Sequence, residues 1–392
     1  MTPGHTPPFV VVSARGVQRV RGGHPWIYRS DVADVQAEAG DIVQVLGPHE
    51  RPIGYAFYSD RSQITLRMVS RGEARPDTAL WRGRLEAALA FREALRLDAT
   101  AYRLVHAEGD LLPSLVVDRY GDCLVVQALS QATDRLLPAL VTMLVELIGP
   151  RGILARNDPR ARLLEGLTQD VAVVYGEVPD TLTVTEGGVE YAVDPWRGQK
   201  TGLFLDQREN REAAARYAGG RLLDCFSYNG GFALHLAPHC QQVTAIDVSE
   251  EAVGRITRNA ARNRLGHVTA YAANVFDELR RLEHDGDRFD TIVLDPPAFA
   301  KNKAAVPKAL AGYKEINLRA LKLLTPGGCL VTCSCSHHVD EAMFLRVVHE
   351  AALDAACEVT LVEKRMQGRD HPVLLGVPET YYLKCLILRK VG

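Results

Sequence analysis

No apolar run in this 392-residue chain approaches the roughly 20 residues that a membrane helix needs, so no span is expected. The opening Met1-Thr-Pro-Gly-His-Thr-Pro-Pro8 lacks the basic flank and apolar stretch of a signal peptide, and a cytoplasmic protein is the expectation. Without an export signal, the eight cysteines read as reduced thiols and not as a disulfide framework. Net charge is nearly absent too: 46 basic against 48 acidic side chains leave −2, which gives no global nucleic-acid signature. The deficit is uneven, however. No acidic residue precedes Asp31, while Arg15, Arg19, Arg21 and Arg29 do, and a local basic face supplies phosphate contacts that a net charge hides. A solvated arginine-rich edge explains the same feature equally well. There is no repeat and no low-complexity tract. With 47% hydrophobic and 24% charged residues, what remains is a globular chain long enough for two or three domains.

Three patterns succeed one another. Phe9–Val12, Ile42–Val45, Ile53–Phe57 and Ile64–Met68 read as short strands separated by Gly, Pro and Asp, as in a small barrel or sandwich. From Pro76, Trp81, Leu85, Ala88, Phe91 and Leu95 fall on one helical face. Strand-like Leu115–Val117 and Leu124–Ala128, a helix through Leu136–Ile148 and strand-like Ile153–Ala155 complete a small α+β unit. The last half alternates apolar strands (Leu222–Cys225, Val243–Ile246, Val268–Ala270, Thr291–Leu294, Cys329–Cys333) with helix-length segments. That rhythm predicts a doubly wound parallel sheet, with ligands beyond the carboxyl ends of its strands.

The residues at those ends carry chemistry. The first strand runs into Asp224-Cys-Phe226-Ser-Tyr228-Asn-Gly230-Gly, a turn in which glycine lets backbone approach a ligand closely, though without the GxGxxG spacing of a dinucleotide site. The second ends in Asp247, about 20 residues on, where a carboxylate grips ribose hydroxyls. The third leads to Asn274-Val-Phe-Asp277 and the fourth to Asp295-Pro-Pro297. Each alone is as well explained by a helix cap; four in order are not. This constellation resembles the class I S-adenosylmethionine methyltransferases. The resemblance implies that the Gly230 turn, with Asp224, Phe226 and Tyr228, holds the methionine moiety, Asp247 the ribose and Asn274 the adenine. Upstream, Gly198-Gln-Lys-Thr-Gly-Leu-Phe-Leu-Asp-Gln-Arg-Glu-Asn-Arg211 looks like a segment that covers methionine in some RNA methyltransferases, adding Gln199, Lys200, Thr201, Gly202, Asp206 and Arg208 as cofactor contacts.

After Pro326-Gly-Gly328 comes Cys329-Leu-Val-Thr-Cys333-Ser-Cys335-Ser-His-His338. Carbon 5 of cytosine does not take a methyl group unaided. A thiolate adding at carbon 6 creates an enamine that does, an acid near ring nitrogen 3 stabilises the adduct, and a base removes the carbon 5 proton. Cys335 lies where the strand should have ended, whereas Cys329 and Cys333 fall within it, so Cys335 is the expected nucleophile and Asp295 its catalytic partner. Ser334-Cys335-Ser336 also resembles the Thr-Cys-Ser of RNA 5-methylcytosine enzymes in its spacing from Gly-Gly. The i, i+2 spacing of Cys333, Cys335 and His337 suits tetrahedral zinc poorly beside C-x2-C turns, and no metal is expected.

The whole chain resembles the RlmI-type ribosomal RNA large-subunit (cytosine-5)-methyltransferases. The resemblance is carried by Tyr102-Arg-Leu-Val-His-Ala-Glu-Gly-Asp110, Val117-Asp-Arg-Tyr-Gly121, Gly198-Gln-Lys-Thr-Gly202, Asp206-Gln-Arg-Glu-Asn210, Asp295-Pro-Pro-Ala-Phe299, Tyr313-Lys314 with Asn317, Ser334-Cys-Ser336, Asp370-His-Pro372 and Pro378-Glu379. It implies a PUA-like RNA-binding domain at 1–72, a central α+β domain at 73–190 and a Rossmann-like methyltransferase domain at 191–392. The cofactor implied is S-adenosyl-L-methionine, and the partner 23S ribosomal RNA or a large-subunit precursor, with a homodimer allowed and no membrane. Arg15, Arg19, Arg21, Phe299 and His371 are the expected RNA contacts, Phe299 by stacking on the target base. A related branch modifies guanine N7. Methylation of a ring or exocyclic nitrogen is the alternative reading, because Asp-Pro-Pro followed by an aromatic also occurs in amino-methyltransferases. A non-catalytic RNA-binding assembly factor is the reading from another class.

Overall fold

The computed structural model describes residues 7–391; residues 1–6, on which most of the leader-peptide expectation rests, lie outside them. The chain divides into two units. One holds the residues up to Leu182 with Asp194–Gly202 and Arg369–Thr380, the other Thr183–Val193, Leu203–Gly368 and the residues from Tyr381 onward. Among the described residues, no helix is long and apolar enough to cross a membrane.

The first unit contains two sheets. Strands β1 (Phe9–Val12), β2 (Trp26–Tyr28), β3 (Val32–Gln36), β4 (Ile42–Leu46), β5 (Pro52–Tyr58) and β6 (Ile64–Ser70) form one sheet, in the order β2-β6-β5-β4-β1-β3, and not the two of a sandwich. The alternation of β1, β4 and β6 sends Val10, Val12, Val43, Val45, Leu66 and Met68 into its core. The sequence reading missed helix α1 (Ala14–Arg21), β2 and β3. Only Gly16, Val17 and Val20 of α1 are buried, β2 has three residues, and β3 buries none fully, so none has a strong apolar period.

The second sheet, ordered β11-β10-β9-β8-β7, comprises β7 (Ala101–His106), β8 (Leu115–Tyr120), β9 (Cys123–Ala128), β10 (Gly152–Asn157) and β11 (Asp170–Gly176), with α2 (Thr78–Leu95), α3 (Gln131–Ile148) and the short α4 (Ala161–Leu164). Trp81, Leu85 and Ala88 of α2 pack inward as expected, but Phe91 is exposed and Arg92 takes the inward place. Its guanidinium grips both oxygens of Asp110 and donates to the Asp370 carbonyl at 2.8 Å, which is how a cation is kept inside a core.

The second unit begins with a hairpin, β12 (Leu182–Glu186) and β13 (Val189–Val193), and helix α5 (Arg208–Ala215). The α/β succession follows: β14 (Arg221–Cys225), α6 (Gly231–Leu236), β15 (Gln242–Asp247), α7 (Glu250–Arg262), β16 (Val268–Ala272), α8 (Val275–Asp285), β17 (Phe289–Leu294), α9 (Val306–Leu323), β18 (Leu324–Ser334), α10 (Glu341–Asp354), β19 (Val359–Arg365) and β20 (Lys384–Lys390). All five strands expected here are present. The sheet runs β16-β15-β14-β17-β18-β20-β19, with β20 antiparallel between β18 and β19. Alternate residues enter two cores: Leu223, Cys225, Ile292 and Leu330 face α8, α9 and α10, whereas Leu222, Val293, Val331 and Cys333 face α5 and α6. The chain winds outward from β14 to β16 and returns to β17 on the other side of β14. That reversal opens the crevice at the carboxyl ends of β14 and β17.

Candidate active site

On the β14 side the site is a strained turn. Phe226 and Tyr228 adopt positive φ (64° and 52°) although neither is glycine, and Gly230 follows at 81° before α6 starts. Such conformations cost of order 1–3 kcal/mol each at a non-glycine residue and persist where the surroundings enforce them. Asp224 is the enforcer. Buried under the turn, its carboxylate accepts from Ser227 Oγ and from Ala233 N at 3.0 Å, tying both flanks of the glycines. Burial, reinforced by the nearby Asp295, pushes the Asp224 carboxyl up to about 7, against the pull of those hydrogen bonds. Asp224 therefore shapes the glycine turn from beneath. A Cβ on Gly231 would come within 2.7 Å of Arg211 Nε, so only glycine lets this backbone pass the guanidinium. Arg211 in turn bonds the Phe204 carbonyl at 2.8 Å and Glu186 Oε1 at 2.7 Å, and His235 Nε2 lies 3.0 Å from the same oxygen. Burial alone would raise the Glu186 carboxyl, but Arg211 and the neighbouring His235 hold it at about 2. The hairpin carrying Glu186 is thus wedged against the segment leading into α5, a support that sequence reading did not find.

Asp247 ends β15 with one oxygen accepting from Tyr228 N (2.9 Å) and the other from Ser249 N (3.0 Å). Each carboxylate oxygen has a further lone pair, so capacity for ribose hydroxyls remains. Asn274 caps α8, its Oδ1 accepting from Phe276 N (3.0 Å) and Asp277 N (3.4 Å), which leaves its amide N–H groups for an adenine edge. Asp206 and Arg208 are buried, Asp206 accepting from Tyr382 Oη at 2.7 Å. An acceptor pair at a ribose position, glycines at a strand-to-helix turn and an amide beyond the third strand fit an adenosyl-methionine.

The β17 side has a different character. Asp295 follows β17 directly, and Gln207 Nε2 donates to its Oδ1 at 2.9 Å. Gln207 is itself oriented by Asn210 Nδ2 (2.6 Å), whose Oδ1 accepts from Arg365 Nε (3.1 Å). This relay was missed, although Gln207 and Asn210 stand inside the quoted Asp206–Asn210 motif. β18 pairs with β17 and ends at Ser334, so Cys335 emerges one residue past the strand, while Cys329 and Cys333 are buried within it. The strand therefore stops before 335 and 337 could share its face with 333. The Cys335 thiol is half-buried and points at the Pro296 carbonyl, 3.8 Å away. Tyr313 of α9 ties the flanking serines together: Ser334 Oγ donates to its hydroxyl at 3.0 Å, and the hydroxyl lies 2.9 Å from Ser336 Oγ. Ser336 Oγ also receives Ala300 N at 3.1 Å, joining the loop after Asp295-Pro-Pro to the loop of Cys335. Phe299 is half-buried between Phe276 and Tyr313, with centroids at 5.9 and 4.7 Å.

The remaining expected contacts belong to the first unit. Gln199 and Lys200 are exposed and Gly202 buried. Thr201 is buried with its hydroxyl donating to Asp118 (2.6 Å) and accepting from Tyr120 (2.8 Å), a role in holding its own segment. His371, expected to meet RNA, is instead 2% exposed, beside Asp370 (3.0 Å) and the His106 ring (5.1 Å), so its imidazole is not offered at the surface. The arginine face is also partly spent. Asp31, although later in sequence, lies next to Arg15, with Arg19 3.9 Å away, and Arg29 is taken up by the carbonyls of Asp60 and Arg61. Arg21 makes no ion pair among the described residues, and Arg15 keeps an exposed side chain.

Comparison with known proteins adds three findings. Residues 102–389 match the model of the S-adenosylmethionine-dependent methyltransferase family, and residues 10–71 that of a PUA-like domain. The chain is 41% identical over 379 residues to the ribosomal RNA large subunit methyltransferase I of Tolumonas auensis, covering 94% of this chain and 96% of that one. The protein of the same name from Klebsiella pneumoniae strain 342 is 38% identical, with 98% of each chain covered. Among solved structures, a SAM-dependent methyltransferase from Streptococcus mutans superposes with a TM-score of 0.82 at 19% identity, over 97% of this chain and 99% of that one, a likeness of fold.

Proposed function

The chain belongs to the S-adenosylmethionine-dependent methyltransferases, alongside the ribosomal RNA large subunit methyltransferases I, and on that premise we propose that it forms 5-methylcytosine in 23S ribosomal RNA through a covalent adduct at Cys335. The observation that carries the reading is the placement of one accessible thiol directly past β18, beside the Asp295-Pro-Pro loop at the end of the paired strand β17.

The residues would act as follows. The Cys335 thiolate adds to carbon 6 of a cytosine turned out of its stack, while Asp295 delivers a proton to nitrogen 3, so that the electron pair rests on carbon 5 as an enamine. S-adenosylmethionine supplies the electrophilic methyl group that carbon 5 takes. Loss of the carbon 5 proton to a base then re-forms the double bond, the sulfur–carbon 6 bond breaks, Cys335 leaves as thiolate and the nitrogen 3 proton returns to Asp295. Gln207 holds Oδ1 of Asp295 and so fixes the carboxyl that would meet the base. Phe299, braced by Phe276 and Tyr313, is the surface on which the turned-out base stacks. Asp224, Phe226, Tyr228, Gly230, Asp247 and Asn274, with Asp206 and Arg208, hold the cofactor. The PUA-like domain supplies backbone contacts through Arg15 and Arg21, and the protein acts in the cytoplasm with its ribosomal substrate.

The test is substrate RNA bearing 5-fluorocytosine. The carbon 5 substituent then cannot leave, and the wild-type protein should be trapped as a covalent complex that Cys335→Ser does not form. Steady methylation by Cys335→Ser, with no trapping of the wild type, overturns the reading in favour of attack by a ring or exocyclic nitrogen.

A further inference from the structure

A thiol adds to a pyrimidine only as the thiolate, and the ordinary value near 8.5 leaves it mostly protonated at neutral pH. Something must therefore favour its charge. The carboxylate Asp295 and the phenol Tyr313 cannot. The group that can is a lysine that no sequence pattern had marked.

Lys384 opens β20, the strand hydrogen-bonded to β18 on one side and β19 on the other. It is 3% exposed in a run otherwise made of Cys385, Leu386, Ile387 and Leu388. Burying an ammonium costs several kcal/mol unless an anion is near. Three more exposed lysines of this unit sit on carboxylates, Lys364 on Glu341 at 2.7 Å, Lys314 on Asp354 at 2.9 Å and Lys322 on Glu283 at 3.0 Å, whereas Lys390 donates to the Leu321 and Leu324 carbonyls. Lys384 forms no such pair among the described residues. The two nearest acids are committed elsewhere, Glu341 to Lys364 and the Tyr381 hydroxyl, and Asp340 to the Met343 N–H at the start of α10. The ammonium donates instead to the Ser336 carbonyl at 2.8 Å and the Tyr382 carbonyl at 2.9 Å, two of its three hydrogens. In the β18–β20 register its partner is Ser334. Cys335 lies between the residue paired with Lys384 and the residue whose carbonyl Lys384 holds.

We propose that Lys384 is a positioning residue that pins the Cys335 loop through the Ser336 carbonyl and supplies the buried positive charge that keeps the Cys335 thiol ionised. The inference rests on the reading of Cys335 as the nucleophile. Cys335, Asp340 and Glu341 act on Lys384, and the groups near Cys335 include Lys384, Tyr313 from α9 and the Pro296 carbonyl, 3.8 Å from the sulfur. Burial pulls the Lys384 ammonium down to about 8, while the sulfur of Cys335, Asp340 and Glu341 pull it up. With a value of about 8 the lysine is mostly charged at neutral pH, where the thiol needs it. Tyr313, whose hydroxyl is raised by burial, stays neutral and serves the flanking serines.

The experiment reads the thiol and not the methylation. The pH profile of Cys335 alkylation by iodoacetamide, followed by peptide mass spectrometry on the full-length protein, should have a midpoint below the ordinary thiol value. Lys384→Met should move the midpoint upward and slow alkylation at pH 7 about ten-fold, and Lys384→Arg should restore at least part of the rate. An unshifted profile in folded Lys384→Met overturns the proposal. Should that variant not fold, the ultraviolet thiolate absorbance of the wild type, minus that of Cys335→Ser, is titrated instead, and a midpoint at or above about 8.5 overturns it equally. Trapping on 5-fluorocytosine RNA with an unshifted profile removes Lys384 and keeps the nucleophile. A shifted profile without trapping keeps Lys384 as the partner of the thiol and removes the nucleophile reading.

Discussion

The two halves of the strand edge that carries the site are built by opposite means. On the β14–β15 half, the contacts that shape the turn are local in the chain, Asp224 reaching Ala233 nine residues on and Asp247 accepting from Tyr228 nineteen residues back, and only the brace behind it, from Glu186 to Arg211, reaches farther, across 25 residues. On the β17–β18 half they are distant. Gln207 reaches Asp295 across 88 residues, Tyr313 reaches Ser336 across 23, and Lys384 reaches Ser336 across 48. The first half stores backbone strain at Phe226 and Tyr228, whereas the second gathers polar side chains from α9, β20 and the segment before α5. A cofactor of one invariable shape suits a prebuilt turn. A covalent nucleophile needs its charge state set, and only groups brought from elsewhere do that in a buried place.

The sharpest way to break this contrast is at Cys335. Cys335→Ser should lower methylation by a factor on the order of 10⁴ or more with cofactor affinity unchanged, while Cys333→Ser keeps most activity; radiolabelled methyl transfer and calorimetry separate the two. A comparable loss from both variants would mean that the halves are not functionally distinct. Next in size is the brace behind the β14 half. Glu186→Gln leaves Arg211 buried without its anion and should cost about 3–5 kcal/mol in denaturant unfolding. The loss reported by Glu186 has a direction: its carboxyl is held at about 2, below the unfolded value, so the stabilisation is present at neutral pH and disappears as pH falls toward 2.

A matched pair tests the division of labour. Asp247→Ala should weaken S-adenosylmethionine binding by about 1.5–3 kcal/mol, whereas Gln207→Ala should leave that dissociation constant alone and lower the turnover of RNA roughly 10- to 100-fold. Equal effects of the two variants on cofactor affinity would erase the distinction. The effect spread over the widest pH range concerns Asp224, whose carboxyl is raised to about 7. A group raised above its unfolded value of about 3.9 contributes stability that is full below that value and is lost as pH rises through the folded one. Wild-type stability should therefore carry a downward slope of at most about 1.4 kcal/mol per pH unit between roughly 4 and 7, and Asp224→Asn should remove it. Melting temperatures of the two proteins across that window decide the matter.

The sequence by itself determined the class of this protein. The alternation of apolar strands and helices, Gly230 after a strand, and carboxylates at three strand ends are local or periodic facts. The doubly wound sheet and the glycine turn at its strand-end edge were legible because backbone sterics and side-chain periodicity act over a few residues. Cys335 was legible as well, since its place past a strand end needs only the strand's length. What the tertiary structure alone decided is the company each residue keeps. It put Asp31 beside Arg15, buried His371 against His106, turned Arg92 inward where Phe91 had been expected, and brought Lys384 to the loop of Cys335. Each of these is a polar group whose burial is tolerable only with a partner far away in the chain, and a pairing of that kind leaves no period and no local motif to read.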